Sequence, residues 1–229
     1  MNARSASLPN PGPNPDRKAL ARVGEQVRAR LLADAGVYQV PCEAVELFTI
    51  SNFLDAGECA AMMALIDDVA RPSQAYDDGQ GTDYRTSYSG DVERSNSLVQ
   101  MIERRIDDCL GIDPSFGEAV QGQRYAVGQE YRAHNDWFWP GGEYWKRERL
   151  HGGQRSWTAM IYLNEVEQGG ETRFTRAHKS IPPQPGLLLM WNNAKPDGSV
   201  NPDTLHAGEP VVRGTKYIIT KWYRTRKWG

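Results

Sequence analysis

Cysteine is scarce. The three residues, Cys42, Cys59 and Cys109, lie far apart and form no CxxC pair in a chain of 229 residues. That excludes a disulfide-stapled scaffold and a zinc ribbon, and leaves buried thiols as the expectation. Long apolar runs are missing as well, so no transmembrane helix is expected. Neither sign of charge dominates: the formal net charge is −2, too little for a global field that recruits nucleic acid or anionic lipid. The first residues, MNARSASLPNPGPNPD, are polar and proline-rich rather than signal-like. The expectation is a cytoplasmic protein with no membrane or nucleic-acid partner.

Histidine is also rare, with four residues at positions 134, 151, 178 and 206, and this draws attention to where they fall. His134-Asn135-Asp136 places an imidazole and a carboxylate two residues apart. In extended backbone, residues i and i+2 point to the same side, so His134 and Asp136 can reach one ion while Asn135 faces away. His206, from a distant strand, would complete a 2-His-1-carboxylate set, the arrangement that holds non-haem iron(II) on one face and leaves positions open for chemistry. His151 sits in a Gly-flanked turn and His178 between charged residues, so both are expected to face solvent.

The chain length suits one domain with a full core. Residues 1–15 show no periodicity and cannot bury enough apolar surface to order themselves, so they read as a disordered tail. Residues 16–115 read as a helical support region with the first strands and a substrate-side loop. Leu20, Val23, Val27 and Leu31 recur at helical spacing over 16–35. Asp55 and Glu58 predict a capping box opening a second helix to about residue 70, with Met62, Met63, Leu65 and Ile66 as core. A polar loop is expected over 71–94. Leu98, Ile102, Ile106 and Cys109 mark a third helix over 95–110, closed by Gly111. Beyond it the hydrophobic period falls from 3.6 to 2. The runs GQRYAV, SWTAMIYL, TRFTR, GLLLMWN, PVVRG and KYIITKWYR are separated by Gly, Pro and Asn, which describes a compact β core over 116–229. The fold class is therefore β-rich α+β, a sandwich or jelly roll buttressed by N-terminal helices.

Lys216 lies in the last of these runs, among β-branched and aromatic residues. Buried alone, its ammonium would be driven towards neutrality, so its presence there implies a bound anion.

Several stretches together resemble the prolyl 4-hydroxylase family of 2-oxoglutarate-dependent iron(II) dioxygenases. They are Tyr125-x-x-Gly128-Gln129-x-Tyr131-x-x-His134-x-Asp136, Gly152-Gly153-Gln154-Arg155, Tyr162-Leu163-Asn164, Gly169-Gly170-Glu171-Thr172, Leu205-His206, and Gly214-Thr215-Lys216 leading to Thr220-Lys221-Trp222. The resemblance implies a double-stranded β-helix (jelly-roll) core. It also implies a site in which His134, Asp136 and His206 bind Fe(II), Lys216 holds the distal carboxylate of 2-oxoglutarate, and Tyr125, Tyr162 and Thr172 form the cosubstrate wall. Arg155, Trp222 and Tyr84 would line a peptide groove. O2 is the second cosubstrate and ascorbate the implied reductant, with succinate and CO2 as coproducts. Iron(II) with one aspartate keeps one positive charge, Lys216 adds another, and the dianionic cosubstrate cancels both.

One departure bears on substrate. Where collagen-type members commonly follow the Lys-Trp pair with an aliphatic residue and a histidine, this chain has Tyr223 and Arg224. Three readings stand at this point: hydroxylation of a prolyl residue in a peptide or protein, the same chemistry on a free amino acid or small metabolite, and an inert jelly-roll module that keeps a metal. The loop over 71–94 and the aromatic span over 137–153 are candidate lids on the first reading.

Overall fold

The computed structural model describes residues 16–73 and 84–229. The tail expected over 1–15 and the middle of the 71–94 loop lie outside them.

The chain opens with α1 (Arg17–Ala33), then β1 (Tyr38–Val40), β2 (Leu47–Ile50), α2 (Ala56–Val69), β3 (Arg71–Pro72), β4 (Tyr88–Asp91) and α3 (Ser97–Leu110). The capping box at α2 is present: Glu58 N donates to Asp55 Oδ1 at 2.8 Å, and Asp55 N to Glu58 Oε2 at 2.9 Å. Asn96 caps α3, accepting from Leu98 N at 2.9 Å. Gly111 ends that helix in the left-handed region at φ 66°, a conformation that costs glycine little. After α3 the chain is nearly all strand: β5 (Gln121–Tyr125), β6 (Tyr131–His134), a short α4 (Trp145–Glu148), β7 (Arg155–Tyr162), β8 (Gln168–Gly169), β9 (Thr172–Phe174), β10 (Lys179–Ile181), β11 (Leu188–Asn192), β12 (His206–Gly208), β13 (Val211–Arg213) and β14 (Lys216–Arg224).

Eight strands form one antiparallel sheet in the order β1-β2-β11-β7-β14-β5-β4-β3, and four form a second in the order β10-β9-β12-β6. Alternation along the central strands explains how the large sheet serves two cores. On β7, Trp157, Ala159 and Ile161 face the helices, packing with Val27, Met62, Ile66, Ile102 and Ile106. Met160 and Tyr162 point the other way and meet Phe174, Ile181 and Val211 across the sandwich. β11 divides likewise, with Leu188 and Met190 towards the helices and Leu189 and Trp191 towards the interior. All of β7 is consequently buried, although its sequence mixes polar and apolar residues.

Three details of the sequence reading change. The polar loop over 71–94 carries β3 and β4, and β4 pairs with β5 from Tyr88 opposite Arg124 to Asp91 opposite Gln121. The buried face of α3 is turned by one residue: Val99, Ile102, Ile106 and Leu110 are buried, while Leu98 and Cys109 are half-buried. Of the cysteines only Cys59 is fully buried.

Candidate active site

His134 ends β6 and His206 begins β12, and the two stand directly opposite each other in the antiparallel pairing. Asp136 follows two residues after His134 as the chain leaves the sheet. Their ligand atoms gather within 4.8 Å of one another, with His134 Nε2 3.8 Å from Asp136 Oδ1 and His206 Nε2 3.9 Å from Asp136 Oδ2. Among the described residues this is the one such cluster. His151 is exposed, and His178, exposed in a turn at φ 52°, takes no part either.

The donor set fits a divalent metal. His134 Nδ1 lies 2.8 Å from the carbonyl of Arg132, and His206 Nδ1 lies 2.9 Å from that of Thr204. A carbonyl only accepts, so each Nδ1 carries the proton and each Nε2 presents its lone pair to the cluster. Burial and the facing His206 push the His134 imidazole down to about 3, which keeps it neutral and able to ligate. Burial alone would raise Asp136. His206, His134, Arg155 and the Thr158 hydroxyl outweigh it, and the carboxyl is held below its ordinary value.

Packing fixes the rings. Tyr131 stacks on His134 with centroids 3.6 Å apart, and the Arg85 guanidinium sits 4.8 Å from the Tyr131 centroid. Trp191 meets His206 edge-on at 4.9 Å. The carboxylate is steered from behind: Thr158 Oγ1 donates to Asp136 Oδ2 at 2.7 Å, and Asn193 Nδ2 donates to Thr158 Oγ1 at 2.9 Å.

A narrow cavity runs inward from the cluster to Lys216, lined on the way by Tyr125, Met160, Thr172, Gly208 and Thr220. Lys216 is 1% exposed, with Nζ 5.2 Å from the Tyr125 ring centroid and 5.5 Å from that of Tyr162. Desolvation lowers it to about 7, against the opposing fields of Glu171 and Glu209. A Cβ on Gly208 would stand 3.7 Å from both Lys216 Nζ and Tyr131, so glycine keeps open the space beside the ammonium. These features fit a carboxylate anion between Lys216 and the metal. The tyrosine hydroxyls are committed elsewhere: Tyr125 donates to Gln123 Oε1 at 2.7 Å, and Tyr162 lies 2.6 Å from Thr172 Oγ1 and 2.9 Å from the Ile181 carbonyl. Their rings, rather than their hydroxyls, face the ammonium.

Outward, the cluster opens on a groove of about 1140 Å³ that includes Tyr84, Trp137, Phe138, Tyr144, Arg155 and Trp222 in its walls. Tyr84 donates to the Ala133 carbonyl at 2.6 Å, next to His134. Arg155 grips Glu118 with two contacts, 2.6 and 2.8 Å, and stacks over Trp222 at 4.1 Å. Trp222 lines both groove and inner cavity, and its Nε1 is buried without a hydrogen-bond partner.

Residues 120–224 match the model of the 2OG-Fe(II) oxygenase superfamily. The chain is 34% identical to a probable prolyl 4-hydroxylase 8 of Arabidopsis thaliana over 206 residues, covering 79% of this chain and 69% of the relative. The chain belongs to the prolyl 4-hydroxylase family of 2OG-Fe(II) oxygenases. Prolyl 4-hydroxylase 5 of the same plant is 33% identical over 201 residues, 77% of this chain and 67% of the relative. Among solved structures, the viral collagen prolyl hydroxylase of Paramecium Bursaria Chlorella virus-1 in its 2OG complex superposes with a TM-score of 0.62 at 26% identity, covering 80% of this chain and 98% of the viral one. This is an oxidoreductase with the jelly-roll fold of its family.

The sequence reading gave no role to several residues of this oxygenase site. Thr158 was within reach, since alternation back from Tyr162 puts Met160 and Thr158 on the same face of β7. Asn193, Arg85, Glu118 and Glu148 carried no such signal, because only the fold brings them to the site.

Proposed function

We propose that this enzyme hydroxylates a prolyl residue in a peptide or protein, with Fe(II), 2-oxoglutarate and O2 as cofactor and cosubstrates. His134, Asp136 and His206 hold the iron through two Nε2 atoms and one carboxylate. Lys216 takes the distal carboxylate of 2-oxoglutarate, with Tyr125, Tyr162 and Thr172 forming the wall of that pocket. When bound, the iron and 2-oxoglutarate supply the oxidising power, with succinate and CO2 as coproducts. The protein supplies position and dryness. Tyr131 and Trp191 hold the imidazoles, Thr158 aims the carboxylate, and the aromatic walls keep water from the site.

The observation that carries the substrate reading is the continuity of cavity and groove: Tyr131, His134, Asp136 and Trp222 line both. An enclosed cup beside the metal would suit a metabolite, whereas an open groove with aromatic walls suits a peptide. Arg155, Tyr84 and Trp222 shape that groove. The names of the plant relatives point to the same chemistry. Ascorbate is assigned as the reductant that returns the iron to its ferrous form. A cytoplasmic setting accords with three free thiols.

Peptide-level mass spectrometry tests the reading. Cell-extract proteins incubated with Fe(II), 2-oxoglutarate, ascorbate and enzyme are expected to gain one oxygen on specific prolines, and a His206→Ala control to add none. Succinate formed only with a small-molecule extract, and no oxygen on any protein, would move the assignment to a metabolite.

A further inference from the structure

The residues ahead of α1 read Leu8-Pro9-Asn10-Pro11-Gly12-Pro13-Asn14-Pro15, a proline at every second position, with no charged side chain between Arg4 and Asp16. The structure shows where this segment is attached. Asp16 is buried, and its Oδ2 accepts from Gln154 N at 2.8 Å and from Thr225 Oγ1 at 2.9 Å, while Oδ1 pairs with Arg226. Gln154 in turn holds both backbone groups of Phe138 in the groove wall, at 2.7 and 2.5 Å. The next residue along each strand, Arg155 on one side and Arg224 on the other, lines the groove. Asp16, the residue that follows the proline-rich segment, is therefore tied to the immediate neighbours of two groove-wall residues, Arg155 and Arg224.

The groove suits such an occupant. Its walls present Trp137, Phe138, Tyr144, Trp222 and Trp228, flat surfaces of the kind that receive proline rings at little entropic cost. Its buried charges answer one another: Glu118 meets Arg155 and Arg224, and Glu148 meets Arg224 and Arg147. A segment without charges brings nothing these pairs must rearrange to accommodate.

We propose that residues 8–15 are a tethered substrate of the same active site, and that the enzyme hydroxylates its own N-terminal prolines. The inference rests on the prolyl hydroxylase reading above. Reach selects the target. From Gln154 to Thr158, whose hydroxyl bonds Asp136, β7 advances roughly 13 Å at about 3.3 Å per residue. At no more than about 3.5 Å per residue, the three residues from Asp16 to Pro13 can span only about 10 Å, whereas the five to Pro11 can span about 17 Å and the seven to Pro9 about 24 Å. In the step itself a pyrrolidine C–H becomes C–OH. One atom of O2 enters the proline and the other enters succinate, 2-oxoglutarate loses its C1 as CO2, and the four electrons that reduce O2 come in pairs from the C–H bond and the oxo acid.

The test uses the full chain with Fe(II), 2-oxoglutarate and air, with poly-L-proline in the same tube, followed by mass spectrometry of the tryptic peptide that begins at Ser5 and ends at Arg17. The expected result is one added oxygen on Pro9 or Pro11, at a first-order rate unchanged by hundredfold dilution of the enzyme, since a tether fixes the local concentration. Oxygen on Pro13 or Pro15, or a rate that falls with dilution, would overturn the tethered geometry. An unmodified tail beside hydroxylated poly-L-proline would overturn the proposal and leave the enzyme a prolyl hydroxylase. No oxygen on either would remove the reading on which the proposal rests.

Discussion

Arg224 on β14 and Glu148 on α4 close on each other across the groove, Nη2 to Oε2 at 2.6 Å. The same guanidinium donates to the Gly153 carbonyl at 2.7 Å and pairs through Nε with Glu118 at 2.5 Å. Arg224 thus pins the aromatic span over 137–153 to the groove floor, where the collagen-type pattern puts a histidine. Burial raises the Glu148 carboxyl, but Arg224 and Arg147 outweigh it and hold it ionised. Arg224→His is expected to cost about 1–3 kcal/mol of stability, because it takes one charged partner from each of two buried carboxylates, Glu148 and Glu118, which keep only Arg147 and Arg155. Trypsin cleavage after Arg147 and Arg149 should accelerate, and KM for peptide should rise with 2-oxoglutarate affinity unchanged. Unchanged proteolysis would show that the span is held by other contacts.

On the proposed assignment, Lys216 sets the pH response of cosubstrate binding. Its amine titrates near 7 in the free pocket, and the anion binds the charged form. Affinity for 2-oxoglutarate should be flat below that pH and fall by about tenfold per unit above it. Titration calorimetry from pH 6 to 9 would read this, and a flat profile would count against the assignment. Folding responds in the opposite sense. A lysine whose folded value lies below its unfolded one destabilises the fold while charged in both states, and the penalty lifts as pH rises through the folded value. Lys216→Met should therefore stabilise the apoprotein at pH 6, by a few kcal/mol at most, while abolishing 2-oxoglutarate binding. A lower melting temperature would contradict this.

In the proposed site Thr158 would act on the metal through its hydrogen bond to Asp136. Thr158→Val removes the 2.7 Å hydrogen bond and should weaken Fe(II) binding by about 10- to 100-fold. Thr158→Ser should restore it. Equal losses in both variants would assign Thr158 to packing instead.

Trp222 Nε1 has no partner in the free enzyme. Trp222→Phe should leave stability unchanged or slightly higher, because a buried unpaired donor disappears. KM for peptide and 2-oxoglutarate affinity should both stay within about twofold, because the buried Nε1 is out of reach of a groove occupant, whereas Trp222→Ala, which removes the ring from the groove wall, should raise KM for peptide by about tenfold. A change in 2-oxoglutarate affinity alone would place the indole with the cosubstrate.

Much of this architecture was legible in the sequence, and what was not has physical causes. Asp55 with Glu58 and the glycine at 111 mark helix ends through local chemistry, which sequence preserves. His134 and Asp136 are legible because two residues along an extended chain share a side. The extended setting of His134 and the strand of His206 were expected from their roles, but β6 and β12 fall outside the β-rich runs: each is three or four residues long, and β6 is mostly half-buried with no alternation. β4 hides in a polar loop because its residues are only half covered. The chain of Glu118, Arg155, Arg224 and Glu148 joins four distant segments, and no local pattern encodes such a meeting.

The central claim is that one site couples 2-oxoglutarate decarboxylation to prolyl hydroxylation, and labelled oxygen tests it most directly. With ¹⁸O2 and a proline-rich peptide substrate, one labelled atom should appear in hydroxyproline and one in succinate per turnover, with both lost in Asp136→Ala. Succinate labelled without any label in proline, with the peptide present at saturation, would contradict the account.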